Sequence, residues 1–248
     1  TSVSHDVCEH ASGLEEWVDN RYHQLEKKSK FHGSLSDLVV GGKIRITKEI
    51  IDTPLIEQFG RVPSDKVLLL NIKSDSDVLL NGRFVNSGSF HISSGKPIHA
   101  VAKSPICAFI VTLDKEFFLS IAENIKTAPS PKAFETFITP SQGSVLDFEK
   151  SMSYSFNESL DVLTAPSEAS RLVSSIQEIM LSENDQGVQS LPPSTRAYIV
   201  DKSCELLFEN FADEEFGVLE MCSHLRVSRR TLQYSFESII GMSPSNYI

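Results

Sequence analysis

The chain has 248 residues, 40% of them hydrophobic and 23% charged, which is enough apolar material for one large or two ordinary domains and too much for global disorder. Its formal net charge is −10, so no overall basic field points to nucleic acid, and any DNA contact has to be local. The longest apolar runs, such as Phe109–Leu113, fall far short of the ~20 residues a membrane span needs.

No basic-then-apolar leader opens the sequence, so it reads as cytoplasmic, with no membrane partner. The first residue is Thr1 rather than Met, the expectation for a trimmed or processed chain. Cys8, Cys107, Cys204 and Cys222 lie far apart with no CxxC pair, which excludes a zinc ribbon or thioredoxin-type motif. They read as reduced and mostly buried thiols.

Residues 1–30 read as a polar segment, with Leu14, Trp17 and Val18 forming one short helical turn. Residues 31–165 read as a β-rich domain. Short apolar runs alternate with turn residues: Ser36–Val40 before Gly41-Gly42, then Lys43–Ile51, Val67–Ile72, Val78–Leu80, Arg83–Val85, Ser87–Ile92, Ile98–Ala102 and Ile106–Leu113. Asn81-Gly82 between two apolar runs predicts a type I′ hairpin. Such spacing predicts an antiparallel sandwich or small barrel. Gly41-Gly42-Lys43 lacks the spacing of a phosphate-binding loop and reads as a strand turn.

After Asp114 the period changes. Phe117, Phe118, Ile121, Ala122 and Ile125 recur at helical spacing, Ala128–Pro131 is a break, and Ser144–Tyr154 fits strand or helix. Residues 166–190 read as a helix and linker. Leu172, Val173, Ile176, Ile179 and Met180 give that helix one apolar side, suited equally to a dimer seam or to packing on the chain's own sheet. The domain boundary falls near Asn184–Gln189, before Pro192-Pro193. A further helix over Ser194–Phe211 carries Ile199, Val200, Cys204, Leu207, Phe208 and Phe211 on one face.

The most specific segment is 217–248. Val218, Met221, Cys222 and Leu225 fall at i, i+3, i+4 and i+7 of a short helix. Arg226-Val227 is a tight connection, and Ser228 is a good N-cap for a second helix. There Leu232 and Phe236 face inward, while Arg229, Arg230 and Gln233 project outward near the helix start. Gly241 can end that helix left-handed, and Ser243-Pro244 opens another. From Gly217 onward Arg226, Arg229 and Arg230 face only Glu220 and Glu237, a local net charge of +1 in an acidic chain. Helix, short turn and helix with basic and amide side chains at the second helix's start is a helix-turn-helix pattern. Arg suits guanine edges or phosphate, and Gln suits adenine or phosphate.

Leu225-Arg-Val-Ser228-Arg-Arg-Thr-Leu-Gln-Tyr-Ser-Phe236, followed by Gly241-Met-Ser-Pro-Ser-Asn-Tyr247, resembles the first helix-turn-helix of the arabinose-regulator (AraC/XylS) family. Cys222 and Gln233-Tyr234 look most like the branch containing the ethanolamine operon regulator, which would make ethanolamine and a corrinoid candidate effectors. The resemblance implies a transcription regulator. It implies an amino-terminal cupin-like β-domain that senses a ligand or dimerises, and a carboxy-terminal unit over 191–248 that binds double-stranded DNA. It further implies a homodimer, a small-molecule effector, and RNA polymerase as a partner of an activator. The DNA-meeting residues would be Ser228, Arg229, Arg230 and Gln233, over a motif core of Val218, Met221, Cys222, Leu225, Leu232 and Phe236. The family's second helix-turn-helix is missing, so the chain is expected to be part of a longer protein and to bind DNA weakly.

No cofactor or metal is expected. His5, Cys8 and His10 lack a completing cluster. His91 and His99 sit in strand-like runs without the His-x-His spacing of a metallo-cupin, and Cys107 and Cys222 read as core thiols. The fold class is α+β, and the expected protein is not an enzyme. The rival readings are a protein-interaction adaptor and, further off, a cupin-type enzyme.

Overall fold

Strands every few residues, each with alternating side chains, stack into two antiparallel sheets in the computed structural model, which describes residues 1–25, 30–123, 135–158, 166–186, 195–210 and 216–248. The strands are β1 (Ser2–Ser4), β2 (Val18–Gln24), β3 (Gly33–Val40), β4 (Ile44–Ile51), β5 (Ile56–Arg61), β6 (Lys66–Ser74), β7 (Val78–Leu80), β8 (Arg83–Val85), β9 (Phe90–Ser93), β10 (Pro97–Ala102), β11 (Ile106–Asp114) and β12 (Glu135–Ile138). One sheet has the order β1-β3-β4-β11-β6-β9-β12, the other β2-β5-β10-β7-β8. The helices are α1 (Val7–Ser12), α2 (Lys115–Glu123), α3 (Gln142–Ser155), α4 (Pro166–Gln186), α5 (Thr195–Glu209), α6 (Val218–Leu225), α7 (Arg229–Ile239) and α8 (Pro244–Tyr247). The chain is thus an antiparallel β-domain followed by helices, and none of the described helices is long and apolar enough to cross a membrane.

The period of two distributes three cores. Leu68, Leu70 and Ile110 of the larger sheet meet Ile56, Leu80 and Ile98 of the smaller one inside the sandwich. On the outer face of the larger sheet, Ile44, Ile46, Leu69 and Val111 are covered by Phe118 of α2, Phe148 and Met152 of α3, and Leu172, Ile176 and Ile179 of α4. On the outer face of the smaller sheet, Phe59, Leu79 and Val101 meet Ala197, Val200 and Cys204 of α5 together with Met221, Leu232 and Phe236. Both outer faces are therefore buried, which is why β6 and β11 are apolar along nearly their whole length.

Several expectations change. Residues 1–25 are part of the sandwich: β1 pairs with β3 and β2 with β5. The predicted turn at Leu14–Val18 is displaced to α1, capped by Asp6, while Leu14 and Trp17 are buried and Val18 starts β2. Ser144–Tyr154 resolves as helix. The apolar side of α4 is spent on the larger sheet, with Leu172, Ile176 and Ile179 at most 1% exposed, so it is not free to act as a dimer seam. That helix also runs through the first part of the expected linker, to Gln186; Pro192-Pro193, Ala128–Pro131, Ile125 and Phe211 lie outside the described residues. Of the cysteines only Cys204 is buried; Cys107 and Cys222 are half-buried and Cys8 is exposed.

Turn chemistry follows the sequence closely. β7 and β8 are joined by Asn81 (φ 46°) and Gly82 (φ 72°), the left-handed pair of a type I′ turn. Gly41 and Gly42 are left-handed as well and turn β3 into β4.

Candidate nucleic-acid interface and the polar seam behind it

The 217–248 segment builds its surface from its caps. The Gly217 amide donates to Glu220 Oε2 at 3.0 Å, tying down the start of α6. Arg226 leaves α6 in the left-handed region (φ 53°), and Val227 donates its amide back to the Cys222 carbonyl at 3.1 Å, closing the connection within three residues. Ser228 Oγ accepts the Thr231 amide at 3.0 Å and starts α7. Gly241 (φ 87°) ends it. Met221, Leu232 and Phe236 are 0% exposed, and Val218, Cys222 and Leu225 are partly buried against them.

With Leu232 and Phe236 fixed inward, geometry sends the neighbouring positions out. Ser228, Arg229, Arg230, Thr231 and Gln233 are all exposed at the start of α7. The Arg230 guanidinium lies 5.3 Å from the Tyr234 ring and donates to its hydroxyl at 3.2 Å; Gln233 donates to Glu237 at 2.9 Å. These one-turn contacts hold the side chains along the helix without burying them.

Behind this surface the helical unit meets the smaller sheet through a buried polar cluster. Glu57 of β5 and His99 of β10 point outward from the sheet; Asp201 and Cys204 of α5 and Tyr247 of α8 point inward to meet them. His99 Nε2 lies 2.8 Å from Glu57 Oε1, and its Nδ1 lies 3.2 Å from Asp201 Oδ1. The Tyr247 hydroxyl donates to Glu57 Oε1 at 2.6 Å, and Cys204 Sγ is 3.3 Å from that hydroxyl. Burial alone would raise the Glu57 carboxyl, but hydrogen bonds from His23, His99 and Tyr247 outweigh it and hold it at about 2. Burial opposes a charged His99, yet Cys204, Asp201 and Glu57 around it raise it well above the usual imidazole value. Burial pushes the Cys204 thiol up.

A cavity of about 250 Å³ opens beside this cluster, lined among others by Arg21, His23, Phe59, Phe208, Phe216 and Tyr247. Arg21 stacks on Phe208 at 4.4 Å, so the wall is aromatic with a polar floor at Glu57 and Cys204.

The other sequence candidates fall elsewhere. His10 is buried with Nε2 2.8 Å from Glu49 and Nδ1 2.7 Å from Ser4, while His5 packs on His32 and Cys8 is exposed, so the three do not converge. His91 is 1% exposed against Phe137, with neither ring nitrogen hydrogen-bonded. Sequence reasoning placed His99 in a strand but missed its partners, because they arrive from positions 57, 201, 204 and 247.

No protein-family model matches the chain, and no curated protein matches it. Among solved structures, the chain is similar to the AraC-like transcriptional activator CuxR, with 16% identity, a TM-score of 0.46, and coverage of 88% of this chain and 80% of that one. Another is ToxT from Vibrio cholerae O395 bound to (E)-4-(8-methylnaphthalen-1-yl)but-3-enoic acid, with 14% identity, a TM-score of 0.36, and coverage of 85% and 76%. A third is ectoine synthase from P. lautus, with 16% identity, a TM-score of 0.28, and coverage of 41% and 75%.

Proposed function

We propose that the chain is a non-enzymatic DNA-binding transcription regulator of the arabinose-regulator type, in which α7 enters the major groove and the β-sandwich senses an effector or a partner and dimerises. The observation that carries the reading is the α6–α7 pair. A three-residue connection and the Ser228 cap present Arg229, Arg230 and Gln233 from one exposed face at the N-terminal end of the second helix. Arg229 and Arg230 would meet guanine edges or phosphates, Gln233 adenine or phosphate, and Ser228 a phosphate beside its cap.

The route from sensor to DNA would be the seam. The smaller sheet packs on the same helices that hold α7, so a ligand in the adjoining cavity changes how the reading helix is held. The branch resemblance makes ethanolamine and a corrinoid the first effectors to try.

The test selects sequences from a random double-stranded pool with this chain and measures their affinity by fluorescence anisotropy. Arg229→Ala with Arg230→Ala is expected to weaken binding by about 1–3 kcal/mol for each base-reading arginine removed. Because both side chains are exposed, thermal stability should not move. Binding unchanged by the pair removes α7 from the groove.

A further inference from the structure

We infer that Glu57, His99 and Cys204 form a binding site for one thiophilic divalent cation of the zinc type, set in the seam between the smaller sheet and α5. One ligand atom from each lies within 4.8 Å of the other two, and all three residues are buried. A carboxylate oxygen, an imidazole nitrogen and a thiolate sulfur are a borderline-soft donor set, the mixture that suits Zn²⁺ and discriminates against Mg²⁺ and Ca²⁺. This site lies on the outer face of the sheet, among Phe59, Val101 and α5, not in the interior of the sandwich.

The arrangement around His99 is that of a metal ligand with its support in place. Asp201 Oδ1 sits 3.2 Å from Nδ1, placed to accept Nδ1–H in a metal-bound state, which would free the Nε2 lone pair, 2.8 Å from Glu57 Oε1, for the cation. A lone pair facing a carboxylate requires a positive charge near that line. A proton on His99 supplies it in the metal-free seam, where Cys204 Sγ donates to the Tyr247 hydroxyl at 3.3 Å; a cation in its place takes all three donors at once. The second Glu57 oxygen, Oε2, is buried and reaches only the long 3.4 Å contact with His23 Nδ1, so the carboxylate keeps capacity to bind a cation. A divalent cation would take the Glu57 carboxylate, the Cys204 thiolate and a neutral His99 backed by Asp201, at the same net charge as the protonated cluster, so the exchange brings in no uncompensated charge.

Binding displaces two protons to solvent, the thiol proton of Cys204 and the proton otherwise held between His99 and Glu57. The fourth position belongs to the Tyr247 hydroxyl, 2.6 Å from Glu57 Oε1 and 3.3 Å from Cys204 Sγ, or to a water from the cavity that supplies the entry path.

The experiment titrates the chelator-stripped chain with Co²⁺ under a phosphine reductant. One equivalent is expected to raise a thiolate-to-cobalt charge-transfer band with the visible bands of a tetrahedral ion, and Zn²⁺ should bleach both. Cys204→Ser should lose the charge-transfer band. A Cys8→Ser, Cys107→Ser, Cys222→Ser triple variant, which keeps all three ligands, should keep the band in its folded form and so assigns it to Cys204 even where Cys204→Ser fails to fold. Asp201→Asn should weaken binding about 10- to 100-fold. No charge-transfer band in the folded wild-type chain, or a band lost with the triple variant, overturns the proposal. The readout is independent of whether the chain binds DNA.

Discussion

His91 shows what one buried side chain does to the stability of the sandwich. It is stacked 4.4 Å from Phe137, with the Arg83 guanidinium 5.0 Å from the same ring, and neither ring nitrogen is hydrogen-bonded. Burial lowers its pKa from 6.5 to about 4; the Thr136 backbone near the ring opposes that shift, and the like charge of Arg83 adds to it. Folded protein therefore keeps the ring neutral while unfolded chain protonates it near the ordinary value. The stability this contributes is fully present above pH 6.5 and is lost as pH falls through 4, a total of about 3 kcal/mol at ~1.4 kcal/mol per pH unit of separation. The stability of the wild-type chain against urea should accordingly fall as pH drops from 6.5 to 5. In His91→Leu that decline should flatten, and an unchanged slope would place the proton uptake elsewhere. The sequence marks His91 only as a strand residue. Its burial follows from register, because Phe90 and Ile92 take the helix-covered face and leave position 91 to the interior.

At the scale of elements, legibility depends on whether the signal is local. The β7–β8 hairpin, the amphipathic side of α4 and the α6–α7 pair are each written in consecutive residues: Asn81-Gly82, a 3.6-residue period, a serine cap. The strand β2 is not, because Val18–Gln24 is polar and its register comes from pairing with β5. The Glu57–His99–Cys204 cluster is illegible for the same reason, since its three members come from two strands and a helix that meet only in the folded chain. Local and non-local terms can be separated in the β3–β4 turn. Gly41 and Gly42 both have positive φ, 57° and 68°, so either Gly→Ala change carries the same backbone penalty, about 1–2 kcal/mol. A Cβ on Gly42 meets nothing, whereas one on Gly41 would lie 2.8 Å from Ala169 Cβ on α4. Gly41→Ala is thus expected to cost about 1–3 kcal/mol more than Gly42→Ala in urea unfolding. Equal costs would mean that α4 yields freely at its first turn.

The whole molecule is a sandwich clad on both faces, and the cladding on the two faces serves different ends. On the larger sheet α2, α3 and α4 complete a core. On the smaller sheet the cover is the unit that carries the exposed arginines, so its attachment is what couples the two halves of the chain. That attachment can be weakened without touching the polar seam. Leu79 is 2% exposed on β7 and belongs to the core shared with α5, α6 and α7. Leu79→Ala should cost about 2–4 kcal/mol through reduced burial and the cavity left behind. Because that cavity opens on one face only, the destabilisation should be local before it is global. Hydrogen exchange followed by mass spectrometry is expected to show faster exchange in α5 and α7 at native conditions, with α4 and the β4–β11–β6 centre of the larger sheet unchanged. Uniform acceleration across both faces would mean that the sandwich and its helical unit unfold as a single cooperative body. The seam would then transmit stability between the halves instead of giving them two separable arrangements for an effector to bias.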